Sequence, residues 1–298
     1  MMNKQVLTQE NLLLAASPLS EVNVTRWRNG VVSQATDQVA EEVPIALIYN
    51  GVSHAVMLAT PQDLEDFALG FSLSEGILQS KSELYDVEIV SQQQGIELGL
   101  DVATEAFVKL KERRRNLVGR TGCGLCGAES LEQALRLPEK LPEKKFNLNE
   151  NAPSNTHAAS RASVATIKAA SILAAFANMQ TKQVLQQATG ATHACAWVNA
   201  DGGIQLLRED VGRHNAMDKL IGALAKLPRQ EDGFVLTSSR ASVEMVQKVA
   251  IAGFTILAAI SAPTGLAIRI AEDYGVTLVG FLRDNQFVIY THVHRIKP

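Results

Sequence analysis

The sequence predicts an α/β fold: a sheet covered by helices on both faces, preceded by a smaller, more β-rich N-terminal part. From residue 193 onward, short apolar runs alternate with amphipathic helical patterns, the order expected of strands separated by crossover helices and buried on both sides. Before residue 60, apolar residues recur at period two around two Asn-Gly pairs, and Asn-Gly suits the type I′ turn of a hairpin. Between these regions, residues 137–155 are rich in Pro, Glu, Lys and Asn, with Pro138, Pro142 and Pro153 interrupting regular structure, the composition of a linker. The expected organisation is an α+β domain over 1–137, a linker over 138–160 and a C-terminal α/β domain over 161–298.

In chain order, Val22, Val24 and Trp27 lead to Asn29-Gly30, and Ile45, Leu47 and Tyr49 lead to Asn50-Gly51 and on to Val52, Ala55 and Met57. These are two hairpins. Thr60-Pro61 then opens a helix, with Thr60 as N-cap and Pro61 at the first helical position, because Leu64, Phe67, Ala68 and Phe71 fall on one face. Gly76 ends it. Strand patterns follow at 85–90, 96–102 and 106–110. Beyond the linker come an Ala-rich helix over 163–178 and a shorter one over 181–188 closed by Gly190. Strands at 193–198, 204–208, 233–236, 254–260, 276–282 and 287–293 then enclose helices at 213–225, 241–252 and 266–274, which implies a largely parallel sheet.

With 298 residues, 46% of them hydrophobic, the chain has material for a substantial core. A formal net charge of −3 gives no overall attraction to nucleic acid or an acidic membrane. No apolar run has the length of a membrane span, and the short run Leu12 to Ala16 lacks the basic start and cleavage site of a signal peptide. A cytoplasmic protein is expected. Its three cysteines do not make a disulfide scaffold, and in a reducing compartment a Cys-x-x-Cys pair is catalytic or metal-binding more often than structural.

That pair is Cys123 and Cys126, set among Gly119, Gly122, Gly124 and Gly127. The glycines leave little bulk over the sulfurs. Two thiols at this spacing can close a strained disulfide, share a metal ion, or divide attack and resolution between them. Lys111, Arg113, Arg114, Arg115 and Arg120 lie just upstream and would favour the reactive thiolate if they fold back over the pair. A structural zinc takes four ligands and the pair supplies two, so no permanently bound metal is expected. His193 and Cys195 share a strand face without a second pair to complete a site, and read as a buried strand. His292 and His294 read as a solvated strand end.

Ligands of such sheets sit outside the carboxyl ends of the strands. Four polar loops fall there: 209–215 with Arg213 and His214, 237–240 with Ser238, Ser239 and Arg240, 261–264 with Thr264, and 283–286 with Arg283, Asp284, Asn285 and Gln286. The first three precede helices, whose free N–H groups beside arginines suit phosphate. Ser238, Ser239 and Thr264 are also ordinary capping residues, but capping requires neither arginine nor histidine. The four loops together therefore favour an anionic, nucleotide-like ligand. His214 is compatible with proton carrier, phosphate ligand or structural residue, and Lys219 reads as a solvated charge.

Several motifs in order now resemble one family: residues 120–127 (RTGCGLCG), 208–219 (REDVGRHNAMDK), 237–242 (TSSRAS), 261–264 (SAPT) and 280–283 (GFLR). They are similar to the FdhD family, the formate dehydrogenase accessory sulfurtransferases. The resemblance implies a cytoplasmic homodimer whose C-terminal domain is cytidine-deaminase-like, an α/β/α sandwich in three layers without zinc. It implies that Cys123 takes persulfide sulfur from a cysteine desulfurase, with Cys126 as its companion. The sulfur goes to the Mo-bis(molybdopterin guanine dinucleotide) cofactor of formate dehydrogenase, bound as substrate. Phe281, Leu282, Arg283, Asp284, Asn285 and Gln286 match the family's cofactor-binding segment, and Arg213 and Arg240 are expected to assist there. Two other classes stay open at this point: a nucleotide-binding regulatory module with zinc on the Cys-x-x-Cys, and a thiol-disulfide oxidoreductase.

Overall fold

Both Asn-Gly pairs are hairpin turns in the computed structural model, which describes residues 17–115, 166–228, 232–283 and 285–298. Strand β1 (Leu19–Arg28) pairs antiparallel with β2 (Val31–Ala40), and β3 (Val43–Tyr49) with β4 (Val52–Ala59). Asn29, Gly30, Asn50 and Gly51 all have positive φ, as a type I′ turn demands. Strands β5 (Leu84–Gln92) and β6 (Gly95–Val102) complete a four-stranded sheet in the order β4-β3-β6-β5. Ile45, Leu47, Tyr49, Leu98 and Leu100 form its buried face. Helix α1 (Leu64–Ser74) packs there, with Tyr49 and Ser72 hydrogen-bonded through their hydroxyls at 2.7 Å.

Two local expectations are overturned in this part. Thr60 does not cap α1; the helix begins after Asp63, which sits in the left-handed region at φ 53°. Thr60 is bonded to the C-terminal part instead, where burial leaves its backbone groups no water to pair with. The 106–110 segment is not a strand but part of helix α2 (Thr104–Arg115). Ala106 and Leu110 are buried one helical turn apart while Val108 is 43% exposed, the reverse of period two. Glu105 and Lys109 pair along the helix at 2.7 Å. The Gly76 stop holds, with φ 64° and Ile77 N–H donating to Ser72 O as in a Schellman close.

The C-terminal part begins with β7 (Ile167–Lys168), so residues expected to start a helix are extended, and α3 (Ala169–Lys182) and α4 (Val184–Thr189) follow. β7 pairs with the last strand, β14 (Ile296–Lys297), and both Ile167 and Ile296 are buried. The main sheet comprises β8 (His193–Asn199), β9 (Ile204–Asp210), β10 (Gly233–Thr237), β11 (Ile256–Ala259), β12 (Thr277–Arg283) and β13 (Gln286–Ile289), in the order β13-β12-β11-β10-β8-β9. Only β10–β11 and β11–β12 are parallel. The sheet is therefore mixed rather than largely parallel, because β8–β9 and β12–β13 are hairpins that need no crossover. Strand β13 stops at Ile289; His292 lies at φ 46° before a turn of 3-10 helix, so His292 and His294 share no strand face.

Helix α3 covers one face of this sheet through Ile172, Phe176 and Met179. Helices α5 (Arg213–Lys226), α6 (Val243–Ile251) and α7 (Gly265–Asp273) lie on the other, and the core there runs on without a break into the N-terminal sheet. The junction is a contact of helix backbones. A Cβ on Gly70 of α1 would stand 1.7 Å from Asp218 O, and one on Gly222 of α5 would stand 1.9 Å from Asp66 O. Arg208 then bonds Asp66 at 2.9 and 2.7 Å across the same seam.

Candidate functional site

The strand register gathers the four polar loops on one edge. Thr237 at the end of β10 lies opposite Cys195 near the start of β8, and His193 at that start lies opposite Asp210 at the end of β9. β11 and β12 run parallel to β10. Along the edge the order is 283–286, 261–264, 237–240, the entry to β8, and 209–215. The loops are tied together: Thr264 N–H donates to Ala241 O at 3.1 Å, and Arg283 Nη1 donates to Ile260 O at 3.0 Å.

Capping explains only one of the three helix starts. Thr264 accepts from Ala267 N–H at 3.3 Å and closes α7. Gly212 and Ser242, ahead of α5 and α6, make no side-chain cap bond; the first turn of α6 already carries the Glu244 carboxylate, stabilised by its own backbone N–H, whereas that of α5 holds no acid and leaves its N–H groups and partial positive charge uncompensated. Ser238 Oγ accepts from Ala194 N–H at 2.8 Å, and Ser239 pairs with Thr237 at 3.0 Å, so neither serine caps a helix. At these starts Arg213 Nε is buried without a hydrogen-bond partner among the described residues, whereas His214 and Ser242 both act on the Glu244 carboxylate. His214 Nε2 is 3.9 Å from Glu244 Oε2, an ion-pair separation. His214 together with other nearby groups holds the Glu244 carboxyl down to about 2, against burial that would raise it. His193 is pushed below its ordinary value by burial and by Arg213 and His214.

The carboxylates of the first loop are not available to a ligand. Glu209 accepts from Leu185 N–H at 3.0 Å and Gln186 N–H at 2.9 Å, capping α4 from a distant strand. Asp210 accepts from Thr60 N–H, Gly212 N–H and Asn215 Nδ2 at 2.8–3.1 Å. At the far end of the edge, Arg283, Asn285, Gln286 and Phe281 are exposed, whereas the Leu282 side chain is fully buried, so only its backbone can face a ligand. Phe281 is held at φ 54° on a register shift between Gly280 and Arg283, a strained placement for an aromatic residue that is nonetheless 43% exposed. Arg240 is exposed as well. Cys123, Cys126, Arg120 and Asp284 lie outside the described residues, as do the expected linker and both of its flanks.

Reading motifs alone misses a cleft of about 500 Å³ beside this edge, lined in part by Gln180, Gln183, Gln186, Thr192 and His193. The signal was present, three glutamines at intervals of three residues. Cys195, by contrast, is a core thiol: it is 0% exposed, and burial pushes it up to about 12. Among the described residues no group of three or more His, Cys, Asp and Glu side chains is arranged to hold a metal ion. No helix among them is long and apolar enough to cross a membrane.

A family model for FdhD/NarQ matches residues 40–297. The chain belongs to that family. A relative from Cupriavidus necator, named Sulfur carrier protein FdhD, is 55% identical over 275 residues, covering 92% of this chain and 88% of the relative. One of the same name from Bordetella petrii is 48% identical, covering 93% and 94%. A crystal structure described as a formate dehydrogenase accessory protein from Desulfotalea psychrophila superposes with a TM-score of 0.68 at 22% identity, over 94% of this chain and 99% of that one. The mixed α/β fold is thus shared with a solved structure, and the FdhD/NarQ match includes the Cys-x-x-Cys segment and all four edge loops.

Proposed function

We propose that this protein is a sulfur carrier that takes persulfide sulfur from a cysteine desulfurase on Cys123 and delivers it to the molybdenum of the Mo-bis(molybdopterin guanine dinucleotide) cofactor, for use by formate dehydrogenase. The observation that supports this most is family membership across residues 40–297, with relatives named sulfur carriers. The edge adds chemical support. The uncapped start of α5 and the side chains of Arg213, Arg240 and Arg283 offer N–H groups and cations to the pyrophosphates of such a substrate. In this reading the protein acts in the cytoplasm as a homodimer.

Loading is a thiol exchange. The Cys123 thiolate attacks the outer sulfur of the donor persulfide, a new S–S bond forms on Cys123, and the donor cysteine leaves as thiolate. In delivery, the Cys126 thiolate attacks the inner sulfur of Cys123. The outer sulfur departs as sulfide onto the metal of the substrate, and the disulfide left between Cys123 and Cys126 is reopened by a dithiol reductant.

The test is mass spectrometry of the protein after incubation with a desulfurase and cysteine. One added sulfur atom on the Cys123 peptide, absent from Cys123→Ala, is the expected result. No added sulfur, together with stoichiometric zinc that disappears in Cys123→Ala, would replace this reading by a zinc-bearing regulatory module.

A further inference from the structure

The four-stranded sheet β4-β3-β6-β5 is covered on one face only. Its inward residues, among them Ile45, Leu47, Leu98 and Leu100, are buried in the core with α1. The residues alternating with them point the other way. On that side Val56 and Leu58 are each 54% exposed, Val90 is exposed, and Ala46 and Ile48 belong to neither hydrophobic core. The register sets Leu58 beside Pro44, and brings Val56, Ala46, Glu97 and Val90 into line across all four strands. A contiguous apolar stripe of this kind on an open sheet face reads as an interaction surface.

The charge along the stripe has one sign. Strands β3 to β6 contain no Lys or Arg, and their acids, Asp86, Glu88, Glu97 and Asp101, all lie on the open face. None of them is in an ion pair among the described residues. Asp86 stands directly across from Asp101, and like charges so placed are destabilising. The sheet gains no stability from this arrangement, whereas a basic partner would relieve it.

We infer that this face docks the protein that donates sulfur, through an apolar surface of the donor bordered by Lys and Arg. Nucleic acid or an anionic membrane would be repelled here. A second copy seated face to face would set these acids against themselves, and residues 116–165 of this chain mix Glu with Lys and Arg in nearly equal measure, so neither supplies the complement. Position favours the donor over other basic proteins. Strand β6 runs into α2, whose last residue, Arg115, precedes Cys123 by eight positions, a stretch of chain that spans at most about 28 Å. No other described sheet is joined to that thiol by so short a run of chain. This inference rests on the proposed sulfur-carrier reading and adds which surface selects the donor.

Sulfur loading of the full chain from a cysteine desulfurase, set beside loading from glutathione persulfide, tests it. With the small donor, the Cys123 thiolate takes the outer sulfur and glutathione leaves as thiolate, so no docking is needed. Asp101→Lys turns the repulsion from Asp86 into an attraction and should not lower the denaturation midpoint, while Val56→Glu interrupts the apolar stripe at an exposed position. In either variant, loading from limiting desulfurase should slow about tenfold or more, and loading from glutathione persulfide should match the parent. The desulfurase rate of the parent should also fall as salt is raised, and Asp101→Lys should flatten that dependence. Unchanged desulfurase loading in both variants, or an equal slowing with the small persulfide, overturns the inference. Carbodiimide cross-linking of the unaltered proteins, which joins carboxylates to lysines, answers independently of any variant. A link from residues 84–92 or 95–102 to the desulfurase supports the docking face, and links confined to a second copy or to residues 116–165 of this chain refute it. A parent that loads from neither donor loses the sulfur-carrier reading itself, whereas a protein that loads from both donors whether or not the face is altered loses only this inference.

Discussion

Lys219 Nζ stands 2.6 Å from Asp210 Oδ2, and neither side chain is reached by solvent. Burial lowers the lysine pKa while Asp210 opposes that shift, and Lys219 also donates to Thr60 O at 2.9 Å. Asp210 meanwhile holds Thr60, Gly212 and Asn215. This pair therefore fixes the loop that presents Arg213 and His214, and fastens it to the segment entering α1. Lys219→Met leaves a buried carboxylate without its counter-charge and should cost roughly 3–5 kcal/mol. Urea unfolding measures this; a loss below about 1 kcal/mol would mean that the hydrogen bonds to Asp210 suffice.

The crossing of α1 and α5 leads to a sharper steric prediction. At Gly70 and Gly222 the opposing carbonyl oxygens occupy the space of a Cβ, and backbone atoms cannot swing aside as a flexible side chain can. Gly222→Ala must push the helices apart and loosen Tyr49, Ser72 and the Asp218–Lys248 pair, which is bonded at 2.9 Å beside them. The expected loss is at least about 1–3 kcal/mol, read as a lower denaturation midpoint. An unchanged midpoint would show that the helices do not meet at these glycines.

Much of this architecture was legible in the sequence, for reasons that differ between elements. The Asn-Gly turns are local events, so their residues determine them. The four edge loops were found because strand and helix alternation places them at strand ends whether or not neighbouring strands are parallel; β8 and β9 reverse twice, which returns the 209–215 loop to the same edge. What could not be read depends on distant partners. Thr60 has the appearance of a cap, but Asp210 and Lys219, about 150 positions away, claim it. Lys219 reads as a surface cation because Asp210 lies nine residues back, off its helix face. Ala106, Val108 and Leu110 fit a strand and a helix equally well in so short a window. The glutamine cleft needs α4 to be placed against β8, which the Glu209 carboxylate accomplishes.

Cys195 separates the core thiol from the proposed carrier. Its Sγ is buried, hydrogen-bonded to Thr237 Oγ1 at 3.5 Å, and burial pushes its pKa up to about 12, so almost no thiolate exists at neutral pH. Alkylation of the native protein should leave Cys195 unmodified until denaturant is added, and Cys195→Ala should load sulfur as the parent does. Peptide mapping by mass spectrometry reads both. Rapid native labelling of Cys195 would mean that β8 opens, and would remove the reason for treating it as core.

Glu244 and His214 connect the starts of α6 and α5, and the pH response of Glu244 has a definite sign. Favourable contacts, that with His214 foremost, hold the Glu244 carboxyl at about 2 in the fold against an ordinary value of 4.5. A depressed acid contributes its stability above the ordinary value and loses it as pH falls through the folded one. At 3.9 Å, with the side chains 28% and 27% exposed, the contact should be worth about 1 kcal/mol. Glu244→Gln should therefore be less stable than the parent by about that amount above pH 4.5, and the difference should shrink as the pH is lowered towards 2. Denaturation midpoints of both proteins across that range provide the measurement. A difference that stays constant with pH would mean that Glu244 acts through packing rather than charge, and that the spacing of the two helix starts is set elsewhere.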